Sequence, residues 1–312
     1  MKFLCIIASI LAALCVLAAV IAYICFRIAF YAPRRKPYAQ NDTLDIPKGK
    51  IYEPFREKME NWMREVRAMP HQKFSITSFD GLKLYGKYYE FEPGAPIELM
   101  FHGYRGSAER DLCGGVQRCH SLGRSALIVD QRCSGESDGN IITFGVKEHR
   151  DCLSWVDFMV KHFGNDVKII LTGISMGAST VLMASGKPLP KNVIGVLADC
   201  GYSSAEDIIK TVIKKMKLPV PVAYFFVKLG ALLYGGFNLE ETPPKVALKN
   251  CTVPVIFFHG EDDDFVPCEM SKENFKSCPT RKKLVTIPSA GHGLGFLLEP
   301  EEYLKAANEF FK

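Results

Sequence analysis

The chain has few of the features that announce a metal, nucleic-acid or repeat protein. Its eleven cysteines contain no Cys-x-x-Cys pair, which removes the usual spacing of a zinc site and of a compact disulfide framework. No arginine stripe interleaves with aromatic residues, and the formal charge is a mild +5, so nucleic acid is not expected as a partner. The acidic run Glu261, Asp262, Asp263, Asp264 has no histidine or cysteine at a spacing that supports a metal, and no cofactor is expected. Internal repeats and low-complexity tracts are missing, and one uncharged apolar run stands out from the rest.

That run covers residues 3–26. About 20 apolar residues span a bilayer, and this one is long for the core of a signal peptide. Tyr31-Ala32 is followed at once by Pro33, which disfavours cleavage there. Residues 1–32 are therefore expected to be an uncleaved single-pass membrane anchor, with a cleaved signal as the alternative. Lys2 stands before the run, and Arg27, Arg34, Arg35 and Lys36 follow it. The positive-inside rule then places the remainder in the cytoplasm. Scattered cysteines agree with a reducing compartment. An extracytoplasmic enzyme on a signal anchor is the contrary reading.

Residues 33–72 read as a polar, proline-containing linker (33–50) and a lead-in helix (51–69) with Phe55, Met59, Trp62, Met63 and Val66 near helical spacing. The expected main domain is 73–312. Residues 73–78 and 82–91 flank Phe79-Asp80-Gly81 as a hairpin. Strands are then expected at 97–101, 125–130, 168–174, 193–199, 253–259 and 284–287. Helices are expected at about 145–163 and at 301–311. Alternating β and α elements with apolar, β-branched strands imply a mostly parallel sheet with helices on both faces, an α/β fold. The alternation lapses over about 201–250, where a helical stretch (205–217) and an apolar run (222–233) lie among prolines and glycines. That segment reads as a cap inserted over the sheet edge, either ordinary core helix or a lid that lines an apolar pocket and lies against the bilayer.

The chemistry centres on Gly173-Ile174-Ser175-Met176-Gly177, a Gly-x-Ser-x-Gly directly after a short apolar strand and before a small-residue helix. A serine at such a turn stands clear of the sheet edge on strained backbone. To act as a nucleophile it needs a base, and the base needs a group that fixes its tautomer. One downstream strand runs into Glu261–Asp264, and the next into Gly291-His292-Gly293. His292, in a glycine-flanked loop, is the expected base. His259 precedes the acidic turn and is expected to bond locally.

Taken together, His102-Gly103-Tyr104, Asp130-x-Arg132-x-x-Gly135-x-Ser137, the Ser175 motif, His259-Gly260-x-x-Asp263-x-x-Val266-Pro267 and Gly291-His292 resemble the α/β-hydrolase superfamily from about residue 73 to the end. The nearest likeness is to bacterial membrane-anchored serine hydrolases of the serine-aminopeptidase-like and lysophospholipase-like branch. This resemblance selects Asp263 over Asp262 and Asp264 as the orienting acid. It implies a catalytic triad of Ser175, Asp263 and His292, with an oxyanion hole from the N–H groups of Tyr104 and Met176. Arg132 and Asp199 are expected to hold loops together. The expected activity is hydrolysis of carboxylic esters with an apolar acyl or lipid-like part. The alternatives are a serine peptidase, with cap acids such as Glu206, Asp207, Glu240 or Glu241 holding a substrate amine, a thioesterase, or a non-catalytic binding protein on the same fold.

Overall fold

The computed structural model describes residues 2–33 and 44–312; residues 34–43 of the expected linker lie outside the described residues. The chain opens with helix α1 (Lys2–Ala29) and, after the linker, helix α2 (Arg56–Ala68). The central elements are β1 (Gln72–Thr77), β2 (Lys83–Tyr89), β3 (Ile97–Phe101), α3 (Ala108–Ser121), β4 (Ser125–Asp130), α4 (Glu148–Phe163), β5 (Ile169–Ile174), α5 (Met176–Ser185) and β6 (Val193–Asp199). Then follow α6 (Ala205–Lys215), α7 (Val220–Leu233), α8 (Pro244–Ala247), β7 (Val255–Gly260), α9 (Cys268–Ser277), β8 (Lys282–Ile287), α10 (Gly295–Leu298) and α11 (Pro300–Phe311).

One eight-stranded sheet runs in the order β1-β2-β4-β3-β5-β6-β7-β8. The first two pairings, β1 with β2 and β2 with β4, are antiparallel, and every other pairing is parallel. The edge strand β1 alternates between solvent and core, whereas all residues of β3 are buried, as expected of a central strand covered on both faces. From β3 the chain moves to β4 on one side and then to β5 on the other. Such a reversal opens a crevice at the carboxyl ends of the strands, where His102, Ser175, Asp199 and the loops after β7 and β8 lie.

The strands at 97–101, 125–130 and 193–199 form where the sequence places them, and the two hairpin strands, together with β7 and β8, are offset by one or two residues. Helix α4 starts at Glu148 rather than Gly145 for a visible reason. The Glu148 carboxylate accepts the N–H groups of Thr143 (2.8 Å) and Gly145 (2.9 Å), and Gly145 sits at φ +91°, so the preceding loop is tied back instead of coiling. Two helices that periodicity did not reveal are α3 and α9. Helix α3 carries Gly114 and Gly115 in its interior, a weak helical signal. A Cβ at Gly114 would lie 2.7 Å from the Trp62 ring. The glycine is what lets α2 lie close on α3.

Glu98 is a carboxylate within the central strand β3 with no exposed surface. Burial opposes its charge, but Arg118 and Arg124 outweigh that and hold it below the ordinary carboxylate range. It accepts from Arg118, from Arg124 Nη1 at 2.7 Å and from Thr172 Oγ1 at 2.9 Å. Glu98→Gln leaves two buried guanidinium groups without their counter-charge. It is expected to cost about 3–5 kcal/mol of stability, measured as a lowered denaturation midpoint.

Among the described residues α1 is the one helix long and apolar enough to cross a membrane. Its second half is docked on the domain. Ala22, Phe26 and Phe30 are buried, and Phe26 and Phe30 share one cluster with Tyr224, Val227, Ala231 and Phe237 from the segment after β6. The backbone beyond the helix is stitched down by Ala32 N–H to Asn140 O (2.9 Å) and Ile142 N–H to Phe30 O (2.8 Å).

Candidate active site

Ser175 sits between β5 and α5 at φ 56°, ψ −119°, a strained backbone for a residue with a side chain. The turn closes only because both flanking glycines lack a Cβ. One at Gly173 would stand 2.2 Å from the Gly177 carbonyl, and one at Gly177 would stand 2.0 Å from Phe101 O. The Ser175 N–H donates to Asp199 O at 2.8 Å.

His292 Nε2 lies 2.9 Å from Ser175 Oγ, and His292 Nδ1 lies 2.6 Å from Asp263 Oδ2. Three side chains carried by three different loops thus form one hydrogen-bonded line. Asp263 is buried, whereas Glu261, Asp262 and Asp264 are exposed. Its second oxygen, Oδ1, accepts the N–H groups of Phe265 (2.9 Å) and Val266 (2.8 Å). Burial alone would raise its pKa. The bonds from His259, His292 and the Val266 amide prevail and hold the carboxyl far below its usual range.

His259 does bond locally. Its Nε2 donates to Val266 O at 2.8 Å and passes 3.3 Å from Asp263 Oδ2, while Nδ1 takes the Ser271 hydroxyl at 2.7 Å. It therefore buttresses the acid's loop. Arg132 is buried between Asp151 (both oxygens at 2.7 Å) and Asp80, and Asp199 accepts the Tyr303 hydroxyl at 2.8 Å. Both hold loops, as expected.

The loop after β3 runs directly beside the serine: a Cβ at Gly103 would lie 3.6 Å from Ser175 Cβ. Tyr104 follows it, and Met176 is the first residue of α5. The Tyr104 side chain points away and donates to Ala29 O of α1 at 2.8 Å. Arg105 reaches the same helix end, donating to Ile28 O (2.9 Å) and Tyr31 O (3.0 Å) and to the Tyr104 hydroxyl (2.8 Å).

Two further contacts had no signal in the sequence. The Tyr52 hydroxyl donates to His292 O at 3.0 Å, which pins the histidine loop from the lead-in segment. Cys200 Sγ lies 4.0 Å from His292 Nε2, and burial pushes its thiol well above the ordinary range, so it stays protonated beside the imidazole.

Ser175 and His292 open into a cavity of about 530 Å³ whose apolar wall includes Met59, Trp62, Met100, Ile174, Phe296 and Leu297. Of the two readings of residues 201–250, the lid that lines the pocket is not what this cavity shows. Among the described residues none of that segment lines this cavity; the lead-in residues Pro47–Tyr52, Met59 and Trp62 do. The physical reason is that α7 spends its apolar face on α1 instead. Glu206, Asp207 and Glu240 are likewise occupied, by Lys210, Lys245 and Lys228.

No family model matches the sequence. The chain is 28% identical over 195 residues to the uncharacterized protein YqkD of Bacillus subtilis (strain 168), covering 61% of this chain and 62% of that one. It is 31% identical over 137 residues to the polyketide transferase ATR5 of Stachybotrys chlorohalonatus, covering 43% and 45%. The chain thus spans less than two thirds of the length of either relative. Among solved structures, the α/β hydrolase GrgF from Penicillium sp. sh18 superposes with a TM-score of 0.60 at 19% identity, over 78% of this chain and 98% of that one. The fold is that of the α/β hydrolases. The Pyrococcus furiosus esterase Pf2001 shares it with a TM-score of 0.62 at 24% identity, over 79% and 92% of the two chains. So does Est1E from Butyrivibrio proteoclasticus, solved with ferulic acid bound (0.58, 21%, over 76% and 97%). Within the α/β-hydrolase fold the Ser175 turn, the Asp263 loop and the His292 loop follow β5, β7 and β8.

Proposed function

We propose that the chain is a serine hydrolase, anchored by α1, that cleaves carboxylic esters carrying an apolar acyl group. The observation that carries this reading is His292 bridging Ser175 Oγ (2.9 Å) and Asp263 Oδ2 (2.6 Å) at the edge of an apolar cavity. Ser175 Oγ attacks the acyl carbonyl as His292 Nε2 takes its proton. Asp263 keeps Nδ1 protonated and stabilises the imidazolium. The amides of Tyr104 and Met176 hold the oxyanion, each such donor worth about 3 kcal/mol of barrier. The imidazolium returns the proton to the departing alkoxide. Water, deprotonated by the same imidazole, then releases the acid from the acyl-enzyme and restores the serine.

The apolar wall supports an acyl chain as the cavity's occupant. That Pf2001, which shares the fold, is an esterase lends the ester reading weight over the peptidase alternative. Of the cap acids weighed for an amine, Glu206, Asp207 and Glu240 are ion-paired outside the cavity, and the cavity carboxylates Asp111, Asp199 and Asp264 already engage the Gly103 N–H, the Tyr303 hydroxyl and the Lys215 ammonium. Arg27, Arg34, Arg35 and Lys36 after the apolar run support a cytoplasmic domain, and each of the eleven cysteines is unpaired.

The test is a fluorophosphonate probe on the full chain in detergent. One adduct at Ser175, absent in Ser175→Ala together with p-nitrophenyl ester turnover, is expected. An unlabelled serine, or turnover undiminished by the substitution, ends the proposal. Faster cleavage of aminoacyl-naphthylamides than of simple esters moves it to a peptidase. Trp62 stacks on Phe296 at 5.5 Å between ring centroids and forms part of the cavity wall. Trp62→Ala is expected to move the ratio of kcat/KM for long over short acyl esters upward by about 10-fold.

A further inference from the structure

The part of α1 that stands clear of the domain is too short to cross a bilayer. Residues 2–17 are all exposed, and from residue 18 the helix begins to dock, with Ala22, Phe26 and Phe30 buried. Sixteen residues reach about 24 Å at about 1.5 Å per residue, whereas the hydrocarbon core is about 30 Å thick. The apolar run continues to residue 26, so the missing turns come from the docked half. Whatever packs beside those turns is carried to the same depth.

What packs there is the end of α7. A Cβ at Gly230 would stand 2.5 Å from Ala22 O, which is how closely the two helices approach. The Tyr234 hydroxyl donates to Ala19 O at 3.0 Å, and its ring meets Tyr23 edge-on at 5.2 Å. Beside them Arg27 bonds the Tyr23 hydroxyl and covers the Tyr31 ring at 4.1 Å. Tyrosines and an arginine at one level of an apolar helix mark the headgroup region. Tyr234, bonded one turn nearer the N-terminus, lies at or just below it.

The outer surface of α7 suits that depth. Lys228 is its one charged residue, and it stands one turn back, paired with Glu240. Leu232 and Leu233 are 59% and 56% exposed, and Phe225 and Val222 extend the same surface at 58% and 56%. An exposed apolar face of this size on a helix calls for a cover.

We propose that the C-terminal end of α7, with Leu232, Leu233 and Tyr234, is a second membrane element that lies in the near leaflet of a lipid bilayer beside α1. The proposal rests on α1 being a membrane span. It makes the domain's attachment a two-element footing, with the cap side facing the lipid.

The full chain is reconstituted into phosphatidylcholine–phosphatidylglycerol vesicles with acyl chains brominated near the headgroup end, and tryptophan emission is compared with that in unbrominated vesicles. Leu11→Trp reports on α1, Leu232→Trp on α7 and Lys161→Trp on an exposed helix of the domain; the unsubstituted chain gives the baseline from Trp62 and Trp155. The expected result is loss of emission for Leu232→Trp comparable with that for Leu11→Trp, and none for Lys161→Trp. Quenching of Leu11→Trp with Leu232→Trp left at baseline overturns the proposal and leaves the anchor standing. An unquenched Leu11→Trp removes the anchor itself, and the proposal with it.

Discussion

Asp263→Asn is expected to lower kcat by about 10⁴-fold with little change in KM, because the site dictates which way the amide faces. Oδ1 of Asp263 accepts two backbone N–H groups, those of Phe265 and Val266. An asparagine must put its carbonyl oxygen there, and its NH₂ is then aimed at His292 Nδ1. That nitrogen becomes an acceptor, the ring proton moves to Nε2, and Nε2 can no longer take the proton of Ser175. Single-turnover and steady-state ester kinetics read the split between kcat and KM. The same carboxylate links stability to pH. Its folded pKa is depressed, so its stabilisation is fully present above the unfolded-chain value of about 4 and is lost as pH falls through the lower folded value. The difference in denaturation midpoint between the parent chain and Asp263→Asn is therefore expected to stay level from neutral pH to mild acid and to shrink only below about pH 4.

The second large effect is on folding. Gly177→Ala places a methyl group 2.0 Å from Phe101 O and 2.7 Å from His102 O. Both obstacles are backbone, one in the last residue of a central strand, so no side chain can swing aside. Either α5 lifts off the sheet or the end of β3 is displaced, and both carry the site with them. A loss of about 3 kcal/mol or more is expected, at the upper end for overpacked cores, together with loss of esterase activity. Gly94→Ala, where a Cβ meets nothing within 4 Å, is the comparison for the same chemical change without the collision. Its own cost is confined to the φ of +81° and is expected to be about 1 kcal/mol. Equal midpoints for the two variants would contradict the close-approach argument.

Much of this architecture is legible in the sequence, because its information is local. Alternation at 73–78, unbroken apolar runs at 97–101 and 125–130, and the Gly-x-Ser-x-Gly turn each depend on a few neighbouring residues. The order of serine, acid and histidine along the chain was equally visible, although choosing Asp263 among three adjacent aspartates needed the family resemblance. What escaped depends on residues far apart in sequence. Glu98 looks like an interruption in a strand until Arg118, Arg124 and Thr172 surround it. Helix α3 hides behind Gly114, whose purpose is the Trp62 ring. Part of the pocket wall comes from residues 47–62 because α2 docks on α3, and the cap faces α1 because α7 is apolar on the side that meets it. No window of sequence distinguishes those partners from others of equal hydrophobicity.

The hydroxyl of Tyr104 and the guanidinium of Arg105 end on three carbonyls of the α1 terminus, those of Ala29, Ile28 and Tyr31. Cutting the chain near residue 32 to obtain a water-soluble form would thus strip acceptors from the two residues that follow Gly103, beside Ser175. What is trimmed in such a version is the support of the loop beside the cavity, and a sluggish soluble fragment would measure a broken support and not the full chain's pace.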